Sequence, residues 1–325
     1  DNPIINIRSF GATPDVVAAH AEAFAAGLQQ ERVLACAKHF PGHGDTAVDS
    51  HIAVPVLAMD SDRLRSFELQ PFAKVIEAGV KSVMTGHLAV PALDPSGTPA
   101  SLSRILTTSI LREEMGFTGL IVTDALDMHA ITDNYPDGEA CVLALEAGAD
   151  VLLMPEDPLK ALDAIERAVE SGRLSRERLV ESVQRILDAK HWCGAIGAPK
   201  PAANPNKPPF DIDEHRQLAL DAATAALTWY GDPSSLLPLT KYSSIAGFAV
   251  VQEESISAAT SFFTYVAQCY EADCHFAFID ETVSGEDIVS LSSGIDDAEL
   301  LLIPVFIRAR GYQGSVALPE KVRQA

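Results

Sequence analysis

At 325 residues the chain is long enough for two domains, and its 47% apolar content with ordinary glycine and proline usage describes a globular protein, not a disordered or fibrous one. The net charge of −21 is spread along the chain; such a field repels phosphate backbones and argues against a nucleic-acid partner. The longest apolar run, Leu300 to Ile307, contains Pro304 and falls short of the ~18–20 residues of a membrane span, so it reads as a buried strand.

Five cysteines (Cys36, Cys141, Cys193, Cys269, Cys274) show neither paired spacing nor C-x-x-C, which argues against a disulfide framework or a zinc knuckle. They read as small buried hydrophobes. The sequence opens on Asp1 with no apolar leader, a beginning shared by mature secreted chains and truncated ones, so localisation stays open.

Thr13-Pro14 opens a helix with Val17, Ala21, Phe24 and Leu28 on one face. An apolar run, Val33 to Ala37, leads into Lys38-His39-Phe40. A helix follows from about Asp62, carrying Leu64, Phe67, Phe72 and Ile76 and stopped by Gly79. Ser82 to His87 is a second strand, Thr107 to Met115 a short helix ended by Gly116, and Gly119 to Asp124 a third strand. A helix reaches Ala147, Asp150 to Pro155 is a fourth strand, Asp157-Pro158 caps the next helix, and Ser175 begins another to about Lys190. Apolar strands alternating with helices imply a parallel sheet covered on both faces. The polar residues Lys38, His39, His87 and Asp124 sit where strands end, the rim at which such sheets bind ligands.

Residues 194–209, rich in Gly, Ala, Pro and Asn, form a linker by composition. Beyond it, Asp213 to Tyr230 and Ser257 to Tyr270 read as helices, and Ile245 to Val251, Cys274 to Ile279 and Glu299 to Ile307 as strands of a second α/β layer domain. The domain expectation is therefore 1–193, a linker at 194–209, and 210–325.

The stretch Lys38-His39-Phe40-Pro41-Gly42-His43-Gly44-Asp45-Thr46-Ala47-Val48-Asp49-Ser50-His51 gathers three histidines, two aspartates and a lysine in a loop after a strand. A solvated polar loop would explain any one histidine; a metal site would want His-x-His or a helical His pair, which is lacking. In extended backbone Asp49 and His51 project to one side, so the carboxylate can fix the imidazole tautomer and raise its basicity. A histidine so held can give a proton in one step and take one back in the next. Asp124 supplies a strand-end carboxylate suited to nucleophilic attack on a sugar, with Asp127 as competitor and a helix N-cap as the bland alternative.

At these residues the chain resembles glycoside hydrolase family 3, in its β-N-acetylglucosaminidase (β-N-acetylhexosaminidase) branch. The signature from Lys38 to Asp45 with Asp49-Ser50-His51, the segment Thr123-Asp124-Ala125-Leu126-Asp127-Met128, and Asn2-Pro3 with Arg8-Ser9-Phe10-Gly11 carry the resemblance, which covers residues 1 to about 190 well. It implies an α/β fold, a (β/α)8 TIM-type barrel followed by an α/β/α sandwich domain. It also implies Asp124 as nucleophile, the Asp49–His51 dyad as acid/base, and Arg8, Lys38, His39 and His43 as substrate-binding groups, with no cofactor or metal. The substrate would be a terminal N-acetylglucosaminide, from peptidoglycan or chitin fragments. Alternatives are a family 3 β-glucosidase, an N-acetylglucosaminide phosphorylase, or an inactive carbohydrate-binding fragment. Only four to five strands precede the linker, short of a barrel's eight, and the second domain stops early. The expectation is an N-terminally truncated barrel with a partial sandwich, inactive and poorly soluble by itself.

Overall fold

The computed structural model describes residues 5, 8–46, 54–136, 138–197, 211–231, 234, 236–251, 256–270, 273–280, 283–284 and 297–306. The chain divides into two compact units, mainly Asp1–Ala198 and Pro199–Arg308. No helix of the described residues is long and apolar enough to cross a membrane.

The first unit is built on a parallel sheet of β1 (Cys36–Phe40), β2 (Ser82–Thr85) and β3 (Leu120–Thr123), in that order. Strand β1 lies later than the apolar run suggested, and takes in Lys38 and His39. Main-chain bonds carry the pairing through Phe40, whose carbonyl accepts from Gly86 N (2.8 Å), while Val33 is left exposed. The fourth expected strand shrinks to a single bridge, Val151 to Val122. There Leu153 N bonds to the Thr123 hydroxyl (3.0 Å), and Met154 turns left-handed (φ 46°) just before Pro155, so the extended run cannot continue.

Helix α1 (Pro14–Gln30) starts where Thr13-Pro14 predicts, but its inward face is turned from the expected one: Ala18 and Ala25 are buried, Val17, Ala21 and Leu28 half-buried, and Phe24 is exposed. The expected helix from Asp62 instead breaks into α2 (Ser61–Arg63), a π turn (Leu64–Glu68) and α3 (Gln70–Glu77). Pro71 has no N–H to continue the ladder; the wider turn, closed by Leu69 N to Leu64 O (2.9 Å), keeps Leu64, Leu69 and Phe72 inward. The segment expected as a short helix from Thr107 is a π-helix over Ile105–Glu114, which turns Leu106, Thr107, Ile110 and Leu111 into the core together. The helix expected to reach Ala147 is two, α4 (His129–Thr132) and α5 (Glu139–Ala147). Gly138 and Gly148 bound the second with positive φ.

Asp157 caps α6 (Pro158–Glu170) through Leu159 N and Lys160 N, and Ser175 caps α7 (Arg176–Trp192) through Arg178 N. Helix α7 points Arg178, Ser182 and Arg185 at the buried Asp150, and leaves Val180, Val183 and Leu187 exposed. Asp150 also pairs with Arg112 and accepts from Ile121 N (3.0 Å), so one buried carboxylate ties the start of β3 to two helices. The core lies around Phe40, Leu57, Leu64, Leu88, Leu106, Leu111 and Ile121, with Phe72 edge-on to Phe40.

The second unit has β4 (Ser244–Val251) between β5 (Asp273–Ile279) and β6 (Leu300–Leu302), all parallel, with β7 (Val305–Phe306) also paired to β4. The single strand expected over 299–307 is thus two, parted by Pro304, whose carbonyl accepts from Val250 N (2.9 Å). Helix α9 (Ile256–Cys269) buries Ala259, Phe263 and Val266; Phe263 stacks on Phe276 at 4.0 Å. Helix α8 (Ile212–Ala226) stops short of Tyr230, and the β-favouring run Thr228-Trp229-Tyr230 is not helical.

Of the five cysteines only Cys141 is buried. Cys36 and Cys269 are exposed and Cys193 and Cys274 half-buried, contrary to the expectation of five buried hydrophobes. Cys193 and Cys269 sit at helix C-termini, where side chains turn outward. Most of the proposed linker, from residue 198 on, falls outside the described residues.

Candidate active site

The parallel register sets Phe40, Thr85 and Thr123 level, so the residues at the ends of three adjacent strands share one rim. His39 comes from the end of β1, Gly86 and His87 follow β2, and Asp124 follows β3. His39 Nε2 lies 3.8 Å from Asp124 Oδ2, with side chains 10% and 15% exposed. The two thus face a common, partly open space.

Burial pushes the His39 imidazole down to about 4, and the charges of Lys38, His43 and Arg8 press the same way, while Asp124 opposes them. At neutral pH His39 is therefore uncharged. Its approach to Asp124 is that of a neutral imidazole, too long for a hydrogen bond, and not an ion pair despite the distance. Arg8 and Lys38 are exposed and close enough to His39 to act on it. His43 is buried; its Nδ1 lies 2.8 Å from Thr46 Oγ1, and its ring stands edge-on to His39 with centroids 5.8 Å apart. Two cis peptides, Lys38–His39 and Phe40–Pro41, bracket His39.

Asp124 donates its N–H to Thr85 O (2.9 Å) and accepts Ala125 N–H on its own Oδ1 (2.9 Å), which leaves Oδ2 toward His39. It caps no helix: α4 begins at His129 with Met128 in the cap position. Asp127, the competing carboxylate, is exposed between the buried Leu126 and Met128. The structure therefore gathers Arg8, Lys38, His39, His43 and Asp124. Asp49 and His51 lie outside the described residues.

Sequence reasoning passed over several supports. A Cβ on Gly86 would sit 3.1 Å from His39 Cβ and 3.4 Å from Leu88, so a larger residue there would press on His39 and shift it by a few tenths of an ångström. The signature loop rests on the π turn. Gly42 (φ 130°) packs against the buried Glu68, whose carboxylate holds Arg63 at 3.0 Å, and Arg63 in turn reaches Asp45 at 3.9 Å. Ser101, buried, bonds to His87. A glycine directly after a strand was the one available signal among these; Glu68 and Ser101 had none.

A neutral imidazole, a strand-end carboxylate and two nearby cations, at the C-terminal rim of a parallel sheet, define the class: an α/β protein with a polar ligand site at its strand ends. Residues 1–189 match the family model for the glycosyl hydrolase family 3 N terminal domain. Beta-hexosaminidase A of Pseudoalteromonas piscicida is 36% identical over 248 residues, 70% of this chain and 41% of that protein. The solved family 3 β-N-acetylglucosaminidase of Paenibacillus sp. str. FPU-7 aligns with a TM-score of 0.78 and 31% identity, covering 93% of this chain and 59% of its own. A structure of the β-glucoside phosphorylase BglX aligns with a TM-score of 0.81 and 26% identity, over 98% of this chain and 60% of its own. The chain belongs to glycosyl hydrolase family 3, a family of glycosidases whose N-terminal domain is a TIM-type barrel. It spans about two-fifths of the Pseudoalteromonas relative, 41%.

Proposed function

We propose that the protein is a retaining glycosidase that releases N-acetylglucosamine from the non-reducing ends of its substrates, such as peptidoglycan or chitin fragments. The observation that carries the reading is the meeting of Asp124 Oδ2 and an uncharged His39 at 3.8 Å on one partly open rim. The relatives' names, a β-hexosaminidase and a β-N-acetylglucosaminidase, support the choice of sugar.

Asp124 Oδ2 attacks the anomeric carbon, forming a glycosyl ester as the bond to the leaving oxygen breaks. His51, oriented by Asp49, gives that oxygen its proton. The same imidazole then takes a proton from water, whose oxygen attacks the anomeric carbon and frees Asp124. Since His39 carries no charge, it can hold a sugar hydroxyl without neutralising Asp124 as a counter-ion would, which preserves the carboxylate's nucleophilicity. Arg8 and Lys38 hold hydroxyls or the acetamido group beside it, and His43, its ring edge-on to His39, completes the set of substrate-binding groups. We assign this catalytic portion to residues 1–193, the linker to 194–209 and a second domain to 210–325.

The likeness to BglX favours a second reading, in which phosphate replaces water as acceptor. Aryl N-acetylglucosaminide and aryl glucoside, each with and without phosphate, separate the two. The proposal expects faster release from the former, unaffected by phosphate, and a mass increment on the Asp124 peptide when the intermediate is trapped with a slow fluorinated donor. Asp124→Ala should abolish turnover. His51→Ala should slow it severely, and less so for activated leaving groups, which need little protonation. Turnover surviving in Asp124→Ala would overturn the assignment. Sugar binding without turnover would favour a carbohydrate-binding role.

A further inference from the structure

His87 follows β2, the strand between those that carry His39 and Asp124. Its side chain is fully buried at the exit of β2, with Nε2 2.8 Å from Ala125 O and Nδ1 2.8 Å from Ser101 Oγ. A carbonyl can only accept, so the ring proton resides on Nε2, and the Ser101 hydroxyl can donate to Nδ1. Ser101 is itself fully buried and anchored, its N–H bonding to Gly86 O (3.1 Å). The imidazole is thus held in one tautomer and one orientation by the strand exit it belongs to.

What it holds is the residue after Asp124. Three successive residues are tied to different parts of the rim: Asp124 N to Thr85 O, Ala125 O to His87, and Leu126 N to Leu153 O (2.9 Å). Ala125 is also the residue whose N–H bonds to Asp124 Oδ1. The carbonyl lies in the 125–126 peptide and the N–H in the 124–125 peptide, so freeing the former loosens the Ala125 torsions that aim the bond to Asp124 Oδ1 and leave Oδ2 facing His39.

We propose that His87 is a positioning residue for Asp124, acting through the Ala125 backbone, with Ser101 fixing its tautomer. The inference rests on the reading of Asp124 as nucleophile. Because a misplacement of ~1 Å at a reacting atom costs about 100-fold in rate, loss of the clamp should appear in kcat.

The test compares His87→Gln and His87→Asn in the intact protein, on whichever aryl glycoside it turns over. A glutamine amide reaches the place of Nε2 and can donate to Ala125 O, whereas an asparagine amide reaches only the place of Nδ1. Expected are a kcat for His87→Gln within threefold of wild type and one for His87→Asn about 100-fold lower, with KM nearly unchanged in both. Ser101→Ala should lower kcat about tenfold at unchanged KM, by freeing the ring to turn. Thermal denaturation shows which variants are folded. A folded His87→Asn with the kcat of His87→Gln overturns the proposal; should His87→Asn not fold, wild-type kcat in Ser101→Ala does so. Asp124→Ala serves as the separate control, since turnover surviving there defeats the nucleophile reading itself.

Discussion

The depressed His39 makes a prediction about stability that needs no substrate. In the unfolded chain the imidazole titrates near its ordinary 6.5, and in the folded protein near 4, chiefly because of burial. Above pH 6.5 both states are neutral and the protein has its full stability. Between 6.5 and about 4 the unfolded chain takes up a proton that the folded one refuses, so stability falls as pH falls; below about 4 both are protonated and the loss levels off. At 1.36 kcal/mol per pH unit, that interval is worth about 3 kcal/mol. His39→Gln keeps a polar side chain but cannot titrate. Urea unfolding at pH 7.5 and pH 4, followed by Trp192 fluorescence in a Trp229→Phe background, gives the comparison. Trp192 reports on the first unit because Arg32 and Lys81 lie against its ring, at 5.4 and 5.5 Å. Wild type should lose about 3 kcal/mol more than His39→Gln between the two pH values. Equal losses would mean that His39 titrates alike in the folded and unfolded chain, and would refute its depression by burial. As a further check, Asp124→Asn removes an influence that holds the pKa up, so its His39 transition, followed by NMR, should move lower still.

Asp127→Ala, in an exposed side chain beyond the nucleophile segment, should leave kcat within about threefold of wild type on an aryl glycoside; a loss as deep as that of Asp124→Ala would move the nucleophile to Asp127. Gly86→Ala should lower kcat/KM about 10- to 100-fold with little change in melting temperature, because the added methyl group displaces His39. Asp150→Ala should destabilise the first unit by about 3–5 kcal/mol in urea, since Arg112, Arg178 and Arg185 lose a shared buried partner.

Helix α1 and the caps of α6 and α7 were legible because proline, aspartate and serine act within one turn of where they stand. The rim was legible for a different reason: a charged or imidazole side chain at the end of an apolar run has no place in a core. The two π segments were not, since over five to ten residues a wider turn buries nearly the same positions as an α-helix. Pro71 and Pro304 stand where a helix and a strand break, but the hydrophobic spacing runs through both positions. The exposure of Cys36 and Cys269 was hidden because burial depends on which elements cover a residue, and composition does not carry that.

The protonation of His39 was likewise beyond the sequence, although its position was within reach. His39 and Asp124 belong to strands separated by β2, so their backbones stand about 9–10 Å apart at the spacing of paired strands. Their side chains nevertheless close to 3.8 Å, reaching across the exit of β2. The residue at that exit is Gly86, and the next, His87, points away from the gap to bond Ser101 and Ala125. The missing Cβ at Gly86 thus gives the His39 backbone room to approach β2, and burial holds the His39 imidazole uncharged. A motif search that scores Lys38 to Asp45 and Asp124 separately reads the two ends of this arrangement; the exit of β2, with Gly86 against His39, lies between them.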